Sequence, residues 1–322
     1  MRDVIRLRID LAYDGGEFYG WAKQPTLRTV QGEIELALAR ILRTRSGSAA
    51  SAEDGWQPRL VVAGRTDTGV HAAHQVCHLD VPESALAGVV GHMDVPAEVA
   101  LQRRLDRMLP DDIVIHRITR APDGFDARFS ALERTYVYRV CDADDQAATP
   151  MDPRLRGFVL RVDGGPLDVD AMNRALAATI GLHDFGSFAT PNPGGTTIRE
   201  VKYAHWDRVP VRPLVPAAAP ESASAVGAPA YVTPTAESGL LAFTIVADAF
   251  ARNMVRSLVG ASIKVGLGKR SIDWFHSKVA EPKREGEIGP IAPQGLTLEH
   301  VAYPPDDRLA ARAEAIRAKR TL

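Results

Sequence analysis

The chain has 322 residues, 39 Lys plus Arg against 40 Asp plus Glu, a formal net charge of -1, 45% hydrophobic and 25% charged residues. Such values belong to a folded globular protein of one large or two ordinary domains, and exclude a disordered chain, a coiled coil or a collagen-like repeat. The near-zero balance also excludes a uniformly basic nucleic-acid coat, so a polyanionic partner would be held by a local basic patch.

In chain order, alternation of Leu7, Ile9 and Leu11 predicts a strand over residues 5–11. Val30, Ile34, Leu38 and Ile41 fall on one face of a helix that Thr29 can cap. Residues 44–58 are rich in Ser, Ala and Gly and read as a surface insertion. Strands follow over 60–63 and 75–81, then a helix through Leu101, Leu105 and Met108, and a strand over 113–119. A strand over 136–140 bridges to a second series: strand 158–162, a helix through Val169, Met172, Leu176 and Ile180 ended by Gly181, strands 198–206 and 240–246, a helix through Met254, Leu258 and Val265, and a strand over 298–302. Residues 210–238, dominated by Pro and Ala, read as a second insertion. The order β-α-β-β-α-β occurs twice. It predicts an α+β protein of two tandem split-βαβ, ferredoxin-like halves, with largely antiparallel sheets side by side and a cleft between them. The halves are expected at 1–122 and 123–305, followed by a basic tail at 306–322.

Cys77 and Cys141 are too few for a disulfide framework, and no run of about 18 apolar residues occurs, so a cytoplasmic chain without a membrane span is expected. GLGKRS at 266–271 has Ile263 and Arg270 where a phosphate loop needs Gly and Ser or Thr; it reads as a helix end, with Ser271 capping the next helix.

The stretch AGRTDTGVHAAHQV, residues 63–76, is the most unusual. A short strand empties into a Gly-flanked turn presenting Arg65, Thr66, Asp67 and Thr68, then His71. The local alternative is an Asx-type turn in which Asp67 caps its own loop. The chemical reading is a carboxylate nucleophile or base kept ionised by a nearby cation. A metal site on Asp67, His71, His74 and His78 is disfavoured, because His74 and His78 on one strand lie roughly 13 Å apart at about 3.3 Å per residue. In residues 125–140, Arg128, Arg134 and Arg139 interleave with Phe129, Tyr136 and Tyr138, either a half-buried strand or a base-stacking ring beside phosphate-binding arginines.

GRTDTGVHA at 64–72 resembles the catalytic loop of the tRNA pseudouridine synthase A family. The resemblance continues through residues 13–38, LPDDI at 109–113, FDARFSALERTYVY at 125–138, HDFGSF at 183–188, FARNMVRSLVG at 250–260 and APQGLTLEHVAYP at 292–304. It implies the pseudouridine synthase fold and a homodimer acting on the anticodon stem-loop of tRNA, at about positions 38 to 40, without metal or organic cofactor. It further implies that Asp67 attacks the target uridine, that Tyr136 packs on the target base, that Arg65 belongs to the catalytic loop and that Arg256 pairs with the aspartate. Thr68 and Ala22 depart from the family's usual Ala and Gln. For RNA contact the candidates are Arg65, Thr66, His71, Tyr136, Lys23, Arg28, Arg128 and Arg252, with Arg103, Arg104, Arg107, Lys269 and Arg270 behind them. The tail, through Arg308, Arg312 and Arg320, is either a tRNA contact or a frayed end. Acidic excess is expected in loops at 52–55 and 142–145, leaving arginines around the cleft. The competing readings are an RNA chaperone without chemistry and a metal-dependent hydrolase.

Overall fold

The computed structural model describes residues 4–43, 56–142, 151–191, 195–210, 236–284 and 286–317. Most of both insertions and the end of the tail, Arg320 included, lie outside the described residues.

The first half follows the expected order. β1 (Val4–Tyr13) buries Leu7, Ile9 and Leu11 completely. α1 (Val30–Arg43) starts where Thr29 Oγ1 accepts the Gly32 N–H at 3.3 Å, as the capping rule requires. β2 (Leu60–Val62) and β3 (His71–Pro82) follow; α2 (Glu83–Ala87) and α3 (Ala97–Asp106) lead to β4 (Ile113–Arg120). β4, β1, β3 and β2 pair antiparallel in that order.

In the second half, β5 (Glu133–Asp142) is the first strand of the repeat, not a bridge between halves. β6, narrower than expected at Leu160–Val162, is a short parallel strand added to β5. α4 (Val169–Leu176) ends before a 3-10 turn, and Gly181, at φ 105°, opens the edge strand β7 (Gly181–Asp184). β8 (Ile198–Arg208) and β9 (Leu241–Ala247) precede α5 (Met254–Gly266), α6 (Ile272–Ala280) and β10 (Leu296–Ala302). Ser271 caps α6 as expected, its side chain accepting the Trp274 N–H at 3.1 Å. The order β10, β5, β9, β8 copies β4, β1, β3, β2 of the first half. α1 packs with α3, and α4, α5 and α6 pack together; Trp206 ties β8 to α5 through its indole N–H on Ser262 Oγ at 3.2 Å.

The two sheets join edge to edge into one of ten strands, and β10 makes the seam. It runs antiparallel to β5 and parallel to β3, meeting β3 at Thr297 opposite His71 and Leu298 opposite Ala72. On the same side of β3, β2 pairs with the other end, at Cys77 to Leu79. The chain leaving β2 at Ala63, whose N–H still reaches Val76 O at 2.8 Å, therefore departs where β3 passes from one neighbour to the other. A loop there is placed at the junction of the halves. α7 (Leu309–Arg317) closes the chain.

Leu298, fully buried on the seam strand, carries core contact for both halves. Leu298→Ala is expected to cost about 2–5 kcal/mol, read from the midpoint of urea unfolding.

Candidate active site

Residues 63–70 are clamped by the loop that follows β1. Trp21 N–H donates to Thr66 O at 3.1 Å, and Gly69 N–H to Phe18 O at 3.2 Å. Gly20, at φ 83°, allows an approach that a side chain would block: a Cβ there would lie 2.8 Å from Thr66 O and 3.2 Å from the Asp67 carbonyl carbon. A Cβ on Gly69 would stand 2.7 Å from Pro293, which comes from the other half. Thr66 is buried, its hydroxyl 2.7 Å from Tyr13 Oη, while Gln75 holds both Tyr13 Oη and Gly64 O. Burial pushes the Tyr13 phenol up to about 12, so it stays neutral and bridges these groups as a hydrogen-bonding hydroxyl.

Held on both sides, Asp67 is left about one-third exposed, with a carboxylate oxygen 3.8 Å from Arg256 Nη1. Arg256 stands in the first turn of α5, and its Nε donates to Ile291 O at 2.6 Å, so segment 291–293 braces both the arginine and Gly69. Burial pulls the Arg256 guanidinium below its ordinary range, and the Asp67 charge opposes that pull. Tyr136 is buried on the face of β5 that it shares with Tyr138, its ring edge-on to Phe250 at 5.1 Å and 89°. Burial, then the negative charge that Tyr13 and Asp67 would bring, raises the Tyr136 phenol above its usual range, so it stays protonated.

A family model described as tRNA pseudouridine synthase matches residues 175–304. Relatives named tRNA pseudouridine synthase A include one from Bifidobacterium longum, 68% identical over 99% of this chain and all of its own length. Others come from Bifidobacterium animalis, 64% identical over 99% of this chain and all of the relative, and Streptomyces griseus, 44% identical over 99% and 95%. The chain belongs to the tRNA pseudouridine synthase family. Pseudouridine synthases are isomerases.

Against the pseudouridine synthase pattern, the structure brings Asp67, Arg256 and Tyr136 together and redistributes the other candidates. Arg65 is exposed beside Asp67, and no ion pair joins it among the described residues. His71 is buried at 2% exposure as the first residue of β3, which starts four residues earlier than expected; its ring packs on Phe158 at 4.4 Å, and burial lowers its pKa. It holds the end of the loop and presents nothing to solvent. Lys23 is spent on Glu35 at 3.2 Å, and Arg28 lies over Phe18 and binds Asp112 through two bonds of 2.8 and 2.9 Å. Arg128 and Arg252 are exposed. Arg270 is engaged by Glu287. Asp142, expected in an exposed acidic loop, has its side chain 3% exposed and paired with Arg208. Among the described residues, no group of three or more His, Cys, Asp or Glu is placed to hold a metal ion.

One residue was missed. Arg134 is buried at 7% exposure, and its guanidinium donates to Ala63 O and Asp248 O at 2.6 Å and to Arg128 O at 2.9 Å. Burial depresses its pKa, and three carbonyl dipoles answer its charge. The signal lay in the strand: Arg134 has the parity of Tyr136 and Tyr138, the buried face.

Arg134→Met would strand three buried carbonyls and is expected to cost at least about 3 kcal/mol in urea unfolding. Gly20→Ala, which forces a side chain toward Thr66 O, should lower turnover at saturating substrate more than it lowers the melting temperature.

Proposed function

We propose that the chain converts uridine to pseudouridine in the anticodon stem-loop of tRNA, with Asp67 as the nucleophile and without metal or organic cofactor, as a cytoplasmic homodimer. The observation that supports this reading most is the cross-seam pairing of Asp67 with Arg256 beside a buried aromatic ring. Family membership supports the reaction class. No helix of the described residues is long and apolar enough to cross a membrane.

The chemistry suits these side chains. The N1–C1′ bond breaks, a C5–C1′ bond forms, C5 gives up a proton and N1 gains one, so substrate and product are isomers and nothing is oxidised or reduced. Asp67 donates an electron pair to the nucleoside and recovers it when the new bond closes. Arg256 faces that carboxylate at 3.8 Å and holds it in place. Because a stacked base hides its ring, the uridine must leave the helix, and Tyr136 with Phe250 offers an apolar surface to receive it and hold the detached uracil during rotation. A phenol that stays protonated serves as a stacking surface and hydrogen-bond donor, and is a poor resting base for the C5 proton.

Asp67→Asn should leave tRNA binding within about twofold and abolish pseudouridine formation, with product nucleosides measured by mass spectrometry after digestion. Persistent formation would overturn the nucleophile. A wild-type chain that binds tRNA and forms none would favour the chaperone reading. Arg256→Gln should lower turnover by two or more orders of magnitude, in keeping with the loss of one preorganised charge at a reacting centre.

A further inference from the structure

Most arginines packed against the body meet a carboxylate: Arg6 meets Asp80, Arg8 meets Asp10, Arg139 meets Glu237 and Glu299, and Arg208 meets Asp142. Arg312 differs. It lies on α7, beyond the end of the family match at residue 304. The helix is seated on the segment ahead of β5 by buried Leu309 and Ala313, and by the Ser130 hydroxyl, which donates to Leu309 O at 3.2 Å. Gly124 lets the two backbones touch, since a Cβ there would fall 2.5 Å from the Ala310 Cβ. Residue 312 falls between those anchors, on the inner side of the helix. Its Nε is shut off from water and has no hydrogen-bond partner among the described residues.

The charges nearby are mixed, with the buried Asp248 carboxylate also acting on Arg134. Arg312 adds its positive charge to the field at the buried Arg134. Arg134 in turn holds the carbonyl of Arg128, whose own guanidinium is exposed over the Phe129 ring at 5.2 Å. A half-buried guanidinium whose Nε has no partner among the described residues can gain from an anion at its outer nitrogens, and phosphate oxygens match its donor geometry.

We propose that Arg312, supported by Arg128, binds a phosphate of the RNA backbone, so that α7 forms part of the substrate-binding surface. This rests on the tRNA reading above and extends it to a helix beyond residue 304, where the family model's match ends, though the full-length relatives span it. Arg134 links such a phosphate to the root of the catalytic loop, because the same guanidinium holds Ala63 O.

The test is the affinity of the full chain for tRNA as a function of salt. Arg312→Gln should weaken binding about fivefold near 0.1 M salt and lower the log–log salt slope by about 0.7 to 0.9, the share of one phosphate contact. Arg312→Lys should keep the slope. Wild-type affinity and slope in Arg312→Gln would overturn the site, provided the wild type forms pseudouridine; failure of the wild type to do so would count against the functional reading instead. Without mutation, saturating tRNA should protect Arg312 from phenylglyoxal, read by peptide mass spectrometry. Equal labelling with and without tRNA would also overturn it.

Discussion

Arg134 is a charged group on the buried side of a central strand, and its guanidinium donates to backbone carbonyls of three separate segments. Ala63 begins the loop that carries Asp67. Asp248 precedes Phe250 and the turn into α5, where Arg256 stands. Arg128 lies within the segment that α7 covers. Hydrogen bonds from a charge are strong and directional in a medium of low dielectric, so one side chain fixes the relative positions of elements that the chain supplies far apart. The tie matters at the seam, where β3 and β10 share only two paired positions and side chains such as His74 and His300, 3.0 Å apart, supplement the backbone.

The site follows from that constraint. One half contributes a carboxylate on a loop pinned between glycines, and the other contributes a guanidinium in the first turn of a helix together with the aromatic floor. Neither half holds the constellation alone. This accounts for an Asp67 carboxylate that stays partly exposed while the residues behind it are buried: Thr66 faces inward to Tyr13, and His71 leads into the strand.

Periodicity made most elements legible, because burial of one face imposes a local pattern that the residues themselves carry. Strand partnership is not local, which is why residues 158–162 looked like the first strand of the second half when β5 holds that place. Asp67 and Arg256 were legible through family resemblance, whereas Arg134 was missed although its parity with Tyr136 and Tyr138 puts it on the buried face. Charge was the least legible quantity. Arg28 finds its carboxylate 84 positions away on Asp112, and Arg208 finds Asp142 66 positions away, so no local window distinguishes a neutralised arginine from one free to meet RNA. A net charge of -1 is thus compatible with a basic cleft. Pairing inside the body consumes many cations, while Arg65, Arg128 and Arg252 stay at the surface.

The most direct test of this account is a structure of the chain bound to tRNA carrying an unreactive uridine analogue at the modified position. The account predicts the analogue extruded from the RNA helix, its base on Tyr136, the sugar and ring within reach of the Asp67 carboxylate, and Arg256 still facing Asp67 across the seam. A target nucleotide seated elsewhere, or still stacked in its helix with Asp67 turned away, would contradict it.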